Sequence, residues 1–152
     1  MNFLLADAYA LATHLHREQT DKSGAPYIQH VVSVALAVRS YGLEYEIVGL
    51  LHDAIEDTPY TEERAQRDFG TTISDALIAM TRFEGEDYFE TYLPRLMSNE
   101  IALRVKYADA TNNLSKNRQL AATDPQKAQF LRTKYKRVLA LLTEHIQSLE
   151  SS

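Results

Sequence analysis

Between Ile47 and Ile55 the chain is apolar except where His52 and Asp53 break in, and Glu56 and Asp57 follow at once. The length and aliphatic content of this stretch predict a helix from about Glu44 to Asp57. On such a helix His52 lies over Glu56 and Asp53 over Asp57, each pair four residues apart. One patch then carries an imidazole and three carboxylates. Three like charges are costly to bury unpaired. A helix turning this face to water would escape the cost. Against that, Leu50, Leu51, Ala54 and Ile55 surround the patch and leave little room for a wide solvated face. A bound divalent cation removes the conflict by reversing the local electrostatics.

The rest of the chain repeats the helical period. Phe3, Leu4, Ala8, Leu11, Ala12 and Leu15 mark a helix from Asn2 to about Gln19, with His14 and His16 near its end as surface histidines. Asp21 to Pro26 reads as a turn, and a second helix runs from Tyr27 to about Ser40, with Tyr41-Gly42 as its stop. After the break at Thr58-Pro59, Thr61 is an N-cap for a short helix that ends near Phe69-Gly70. Further helices are expected over Thr72–Met80, Tyr88–Leu96, Asn99–Lys116 and, after a connection from Asn117 to Asp124, from Pro125 to about Leu149. No strand-like alternation, internal repeat or linker interrupts them. The chain is read as all-α, a helical bundle of about seven to eight helices forming one domain over residues 1–152.

Composition narrows the chemistry. A formal net charge of −5 disfavours a nucleic-acid polymer as partner, so phosphate must be held by local cations or metal. The absence of cysteine excludes disulfides, thiolate metal sites and cysteine nucleophiles. No signal peptide and no membrane span are visible, so a cytoplasmic protein is expected. Exposed helix faces would permit a homodimer.

His30, His52-Asp53 and Asp109 are carried by separate helices. Two imidazoles and two carboxylates suit one divalent ion of the manganese, iron or zinc type. On the segment after Asp87, Tyr88, Tyr92 and Arg95 recur at three- to four-residue intervals, which suits either a packed face or a wall for a base and a phosphate.

Several stretches together resemble the HD-domain metal-dependent phosphohydrolases. They are Lys22-Ser23-Gly24-Ala25-Pro26-Tyr27-Ile28-Gln29-His30, Leu50 to Thr58, Phe69-Gly70, and Val105-Lys106-Tyr107-Ala108-Asp109 with Asn113-Leu114. Within that family the chain is most similar to the hydrolase domain of alarmone (guanosine tetraphosphate) enzymes and their small stand-alone relatives. The resemblance implies a helical fold in which His30, His52, Asp53 and Asp109 bind one metal ion, typically Mn2+, while Glu56 and Asp57 handle the attacking water. It implies that Lys22, Ser23 and Asn113 lie near a nucleotide substrate. Arg82, Tyr88, Tyr92 and Arg95 resemble a short-chain branch of the family and are further substrate-binding candidates. The expected activity is hydrolysis of a nucleotide phosphoester or pyrophosphate, with guanosine 3′-pyrophosphate as its most specific form.

Two departures bear on substrate. Asp21 stands where the alarmone hydrolases carry a guanine-stacking arginine, and Ala110-Thr111-Asn112-Asn113 stands where they have Arg-Leu-His-Asn. A different small phosphoester is therefore one alternative. A nucleotide-binding sensor without turnover is another, disfavoured by the presence of both Glu56 and Asp57. A two-iron oxygenase would need further ligands, for which His14 and His16 are the candidates.

Overall fold

The computed structural model describes residues 2–152, with side chains from Leu4 onward. Ten α-helical segments follow in order: α1 Asn2–Leu15, α2 Tyr27–Val38, α3 Leu43–Leu51, α4 Ala54–Asp57, α5 Glu62–Phe69, α6 Thr71–Met80, α7 Leu93–Met97, α8 Glu100–Ser115, α9 Asn117–Thr123 and α10 Pro125–Glu150. A 3-10 turn, Arg39–Tyr41, closes α2, and a π turn, Tyr88–Tyr92, leads into α7. The described residues contain no strand, only an isolated antiparallel bridge between Thr20 and Pro26. The all-α expectation holds, and the number of helices is larger than seven or eight.

The surplus has local causes. The helix expected over 44–57 is broken at His52 and Asp53, where Asp53 adopts φ −102° and ψ 0° and α4 resumes as a single turn. The Asp57 N–H still donates to the Asp53 carbonyl at 2.9 Å, so that four-residue spacing survives the break. Asn117 to Asp124, expected as a connection, contains α9. Its composition is polar, but Leu120 is buried against Ala128 and Leu131 of α10, and this packing outweighs the weak pattern. The first helix ends at Leu15, four residues short of expectation.

α3 is the central element. Ile47, Val48, Leu50 and Leu51 are fully buried, and the helix packs against α1, α2, α6 and α8. Its second half, Ile47 to Leu51, is apolar on every side and belongs in a core, while Glu44 in the first turn is exposed. Gly49 permits the tightest approach, because a Cβ there would lie 2.8 Å from Ala35 Cα and 3.0 Å from Ala35 N. α8 and α10 close the opposite side through Leu103, Ala110, Val138 and Leu142. The ends are fixed by side-chain caps: Thr61 accepts from the Arg64 N–H, Asn99 from Ala102, and Asp124 from Lys127. No described helix is long and apolar enough to cross a membrane.

Gly49→Ala tests the α2–α3 contact. Backbone atoms cannot give way as a side chain can, so overpacking of about 1–3 kcal/mol should exceed the gain in helix propensity. The expected result is a lower Tm in thermal denaturation; an unchanged or raised Tm would show that α2 can move aside.

Candidate metal centre and active site

Three elements bring their polar groups to one point. His30 on α2, His52 at the end of α3 and Asp109 on α8 are each buried, and one ligand atom from each lies within 4.8 Å of the others. His30 Nε2 is 2.9 Å from Asp109 Oδ1, and His52 Nε2 is 3.5 Å from the same oxygen.

The far side of each ring is already committed. His52 Nδ1–H donates to the Gly49 carbonyl at 2.7 Å, and His30 Nδ1–H donates to Asn112 Oδ1 at 2.7 Å. The Gly49 carbonyl only accepts, which places a proton on His52 Nδ1, and the Asn112 contact likewise leaves His30 Nε2 facing inward, the arrangement that ligating histidines need. His52 keeps helical torsions, φ −60° and ψ −27°, and its ring bonds back over the last turn of α3. His52 Nε2 is buried without a hydrogen bond; Asp53 Oδ2 at 3.1 Å is close enough to attract it but not aligned to accept. An orphaned buried nitrogen between two carboxylates asks for a cation. Without a metal ion a proton takes that place: burial opposes charge on His52, yet Asp53 and then Asp109 outweigh it and hold its pKa well above the ordinary imidazole value. Burial likewise opposes ionisation of Asp109, but Lys106 and the two imidazoles hold its carboxyl well below the usual range. The donor set fits a divalent ion.

Asp53 stands beside this cluster. Its carboxylate accepts from the Tyr27 hydroxyl and faces His52. Glu56 Oε1 accepts from the Arg82 backbone N–H at 2.7 Å. Asp57, with Lys22, Ser23, Asn113 and His30, lines a pocket of about 290 Å³ that is closed on its far side by Leu120, Leu131 and Tyr135. Asn113 Nδ2 donates to Asp109 Oδ1 at 3.2 Å, and Lys22 Nζ reaches the Tyr135 hydroxyl at 3.3 Å. A larger groove, about 590 Å³ between α2, α8 and α10, is lined by no histidine or aspartate.

The remaining sequence candidates divide. Arg82 and Tyr88 lie on a second wall beside Lys106, whose Nζ is 3.2 Å from Asp109 Oδ2. Tyr92 is buried and donates its hydroxyl proton to the Met80 carbonyl at 2.6 Å. Arg95 donates to the Glu86 carboxylate and to the Thr81 and Ile78 carbonyls, so its guanidinium braces the 78–86 segment. Asp21 is a loop staple: Oδ1 accepts from the Ser23 N–H, the Ser23 hydroxyl and the Ala25 N–H, and Oδ2 lies 3.4 Å from Lys116 Nζ.

His14 is exposed, as expected of a surface histidine, but His16 is not. It is buried, bonded through Nδ1 to Gln19 at 2.8 Å, and starts a row of rings that continues through Tyr27 and His30 to His52 at centroid spacings of 5.1, 5.3 and 5.4 Å. Sequence reasoning also assigned no role to Tyr27, Lys106 or Asn112. Each stands in or beside a motif, three residues from a ligand in every case, and that proximity was the available signal.

A helical domain with two inward-facing imidazoles and an aspartate at one buried point defines a metal-binding domain of the His and His-Asp type. The chain belongs to the HD domain family, which it matches over residues 8–145. It is 33% identical to a guanosine-3′,5′-bis(diphosphate) 3′-pyrophosphohydrolase of Haemophilus influenzae over 129 residues, 77% of this chain and 19% of that protein. It is 33% identical to the bifunctional (p)ppGpp synthase/hydrolase SpoT of Escherichia coli over 135 residues, covering 81% of this chain and 19% of that protein. The chain thus spans about a fifth of these relatives. In fold it is similar to the solved structure of a metazoan ortholog of SpoT described as hydrolysing ppGpp, with a TM-score of 0.72, 20% identity, and coverage of 95% of this chain and 94% of that one.

Two measurements probe the centre. Asp109→Ala should lower the divalent-metal content of purified protein; full retention would remove Asp109 from the candidate ligands. In metal-free protein the Asp57 carboxyl is pushed up to about 6, first by burial and then by the charges of Asp53 and Glu56. The folded state then binds this proton more tightly than the unfolded chain, and Asp57 costs stability as pH rises through the window up to about 6. Asp57→Asn should therefore raise Tm at pH 7 relative to the parent and have little effect at pH 4. Equal shifts at both pH values would refute this assignment.

Proposed function

We propose that this chain is a metal-dependent hydrolase that removes the 3′-pyrophosphate of guanosine 3′,5′-bis(diphosphate). The observation that carries the reading is the buried His30–His52–Asp109 cluster with its unpartnered His52 Nε2, beside a pocket lined by His30 and Asp57. The named activity of the relatives supplies the substrate. His30, His52, Asp53 and Asp109 would hold one divalent ion, Mn2+ in this reading. That ion would lower the pKa of water and neutralise phosphate charge.

The chain's own groups account for the rest. Glu56 and Asp57 orient the attacking water and accept its proton. The Arg82 N–H holds one Glu56 oxygen, which limits how that carboxylate can turn. The water oxygen bonds to phosphorus as the bond from phosphorus to the ribose 3′ oxygen breaks, leaving a 3′ hydroxyl and pyrophosphate. Lys22 meets phosphate as a point charge at the pocket wall, and Ser23 and Asn113 face the nucleotide. A second reading, hydrolysis of a different nucleotide phosphoester, is favoured by Asp21. Its side chain is tied to Ser23, Ala25 and Lys116 and offers no planar surface for guanine.

Incubation with manganese and a panel of guanosine tetraphosphate, dinucleotide cofactors and deoxynucleoside monophosphates separates the two. Pyrophosphate release from the first supports the alarmone reading, and turnover of another member alone supports the second. No turnover of any would overturn both. Glu56→Gln or Asp57→Asn should reduce kcat about 10²- to 10⁴-fold while metal content is retained.

A further inference from the structure

α10 contributes a cation to the site that no motif marks. Lys134 is half-buried, and its Nζ lies 4.2 Å from the centroid of the Tyr88 ring. Two more cations share that ring: Lys106 Nζ at 5.5 Å and Arg82 Cζ at 5.6 Å. Tyr88 is the hub of positive charge drawn from α8, α10 and the 81–87 segment. Its quadrupole attracts a cation over the face, but one ring does not compensate three mutually repelling groups.

The cations differ in what else they hold. Lys106 is paired with Asp109 Oδ2, Arg82 donates to the Glu86 carbonyl at 3.1 and 2.9 Å, and Lys22 reaches Tyr135. Lys134 Nζ makes no hydrogen bond or ion pair among the described residues. Burial lowers its pKa, and Lys106, Lys22 and Arg82 lower it further, with only Asp109 opposing. The local field at Lys134 is thus positive in a protein of net charge −5. Cations collected against the overall charge, with no carboxylate to meet the last of them, make an anion site.

Lys106 connects this arc to the metal centre, since it touches Asp109 on one side and shares Tyr88 with Lys134 on the other. An anion held at the cluster and by Lys134 together spans the Lys106 side chain, and a second phosphate beside the reacting one would supply that reach. Resting on the hydrolase reading above, we propose that Lys134, held over Tyr88 beside Lys106 and Arg82, is a specificity-determining residue that binds the terminal phosphate of the substrate's pyrophosphoryl group and of the pyrophosphate product. In this proposal a single phosphate at the cluster lacks the group that Lys134 binds.

The test needs no turnover. Manganese-loaded protein is titrated by calorimetry with inorganic pyrophosphate and, separately, with orthophosphate, and manganese content is measured after each titration. Lys134→Ala should weaken pyrophosphate binding about tenfold or more, as expected for loss of one charge-assisted contact, and orthophosphate binding less than about twofold. Lys134→Arg should restore pyrophosphate binding, and Lys136→Ala, an exposed lysine on the same helix, should leave both unchanged. A packing role for Lys134 predicts a fall in Tm without this discrimination. Absent pyrophosphate binding in the parent protein, equal losses for both anions, no loss for either, or failure of the arginine variant to rescue would each overturn the proposal. If pyrophosphate binding depends on Lys134 but guanosine tetraphosphate is not hydrolysed, the subsite stands and the substrate reading falls. If hydrolysis occurs and Lys134→Ala binds pyrophosphate normally, the subsite alone falls.

Discussion

The buried carboxylate of Asp109 sets the terms for much of this structure. It is 6% exposed, and it is met from different directions by His30, His52, Lys106 and Asn113. An isolated ionised group in such a place would be severely penalised, so its neighbours must supply positive charge and hydrogen bonds together. That requirement ties α2, α3 and α8 to one point more strictly than apolar packing could. Hydrophobic contact tolerates small slippage, whereas a ligand atom displaced by an ångström no longer meets its partners.

The surrounding architecture follows from the need to hold two imidazoles at fixed orientation. The second half of α3 is wholly buried in the core, so the residue at its end inherits a rigid base. His52 caps α3 and bonds back to Gly49, the same residue that lets α2 approach α3. α2 in turn carries His30, and its first residue, Tyr27, secures Asp53. Packing and ligand geometry are thus set by the same few residues.

Much of this was legible in the sequence, and the limits have physical causes. The helical period identified the all-α class, and the His, His-Asp and distant Asp residues identified three groups that do converge. Their meeting could not be read from spacing, because His30 and Asp109 are 79 residues apart. The break at His52–Asp53 was hidden because Asp57 still bonds to Asp53 as in a continuous helix. α9 was missed because a single buried leucine carries its packing. His16 was misread because burial of a histidine near a helix end depends on what lies across from it, here Tyr27. Tyr92 and Arg95 show the ordinary ambiguity of an aromatic and basic face, since such a spacing serves bracing as readily as binding.

The bond from the Arg82 backbone N–H to Glu56 has a consequence for how such a domain can diversify. The donor is an amide that every residue except proline possesses, so the identity of the side chain at position 82 is not constrained by the carboxylate it orients. Position 82 can therefore exchange its outward chemistry while the Glu86 and Arg95 side chains keep the segment in place. A fold wired in this way can explore new substrates through side chains alone, without first having to rebuild its centre.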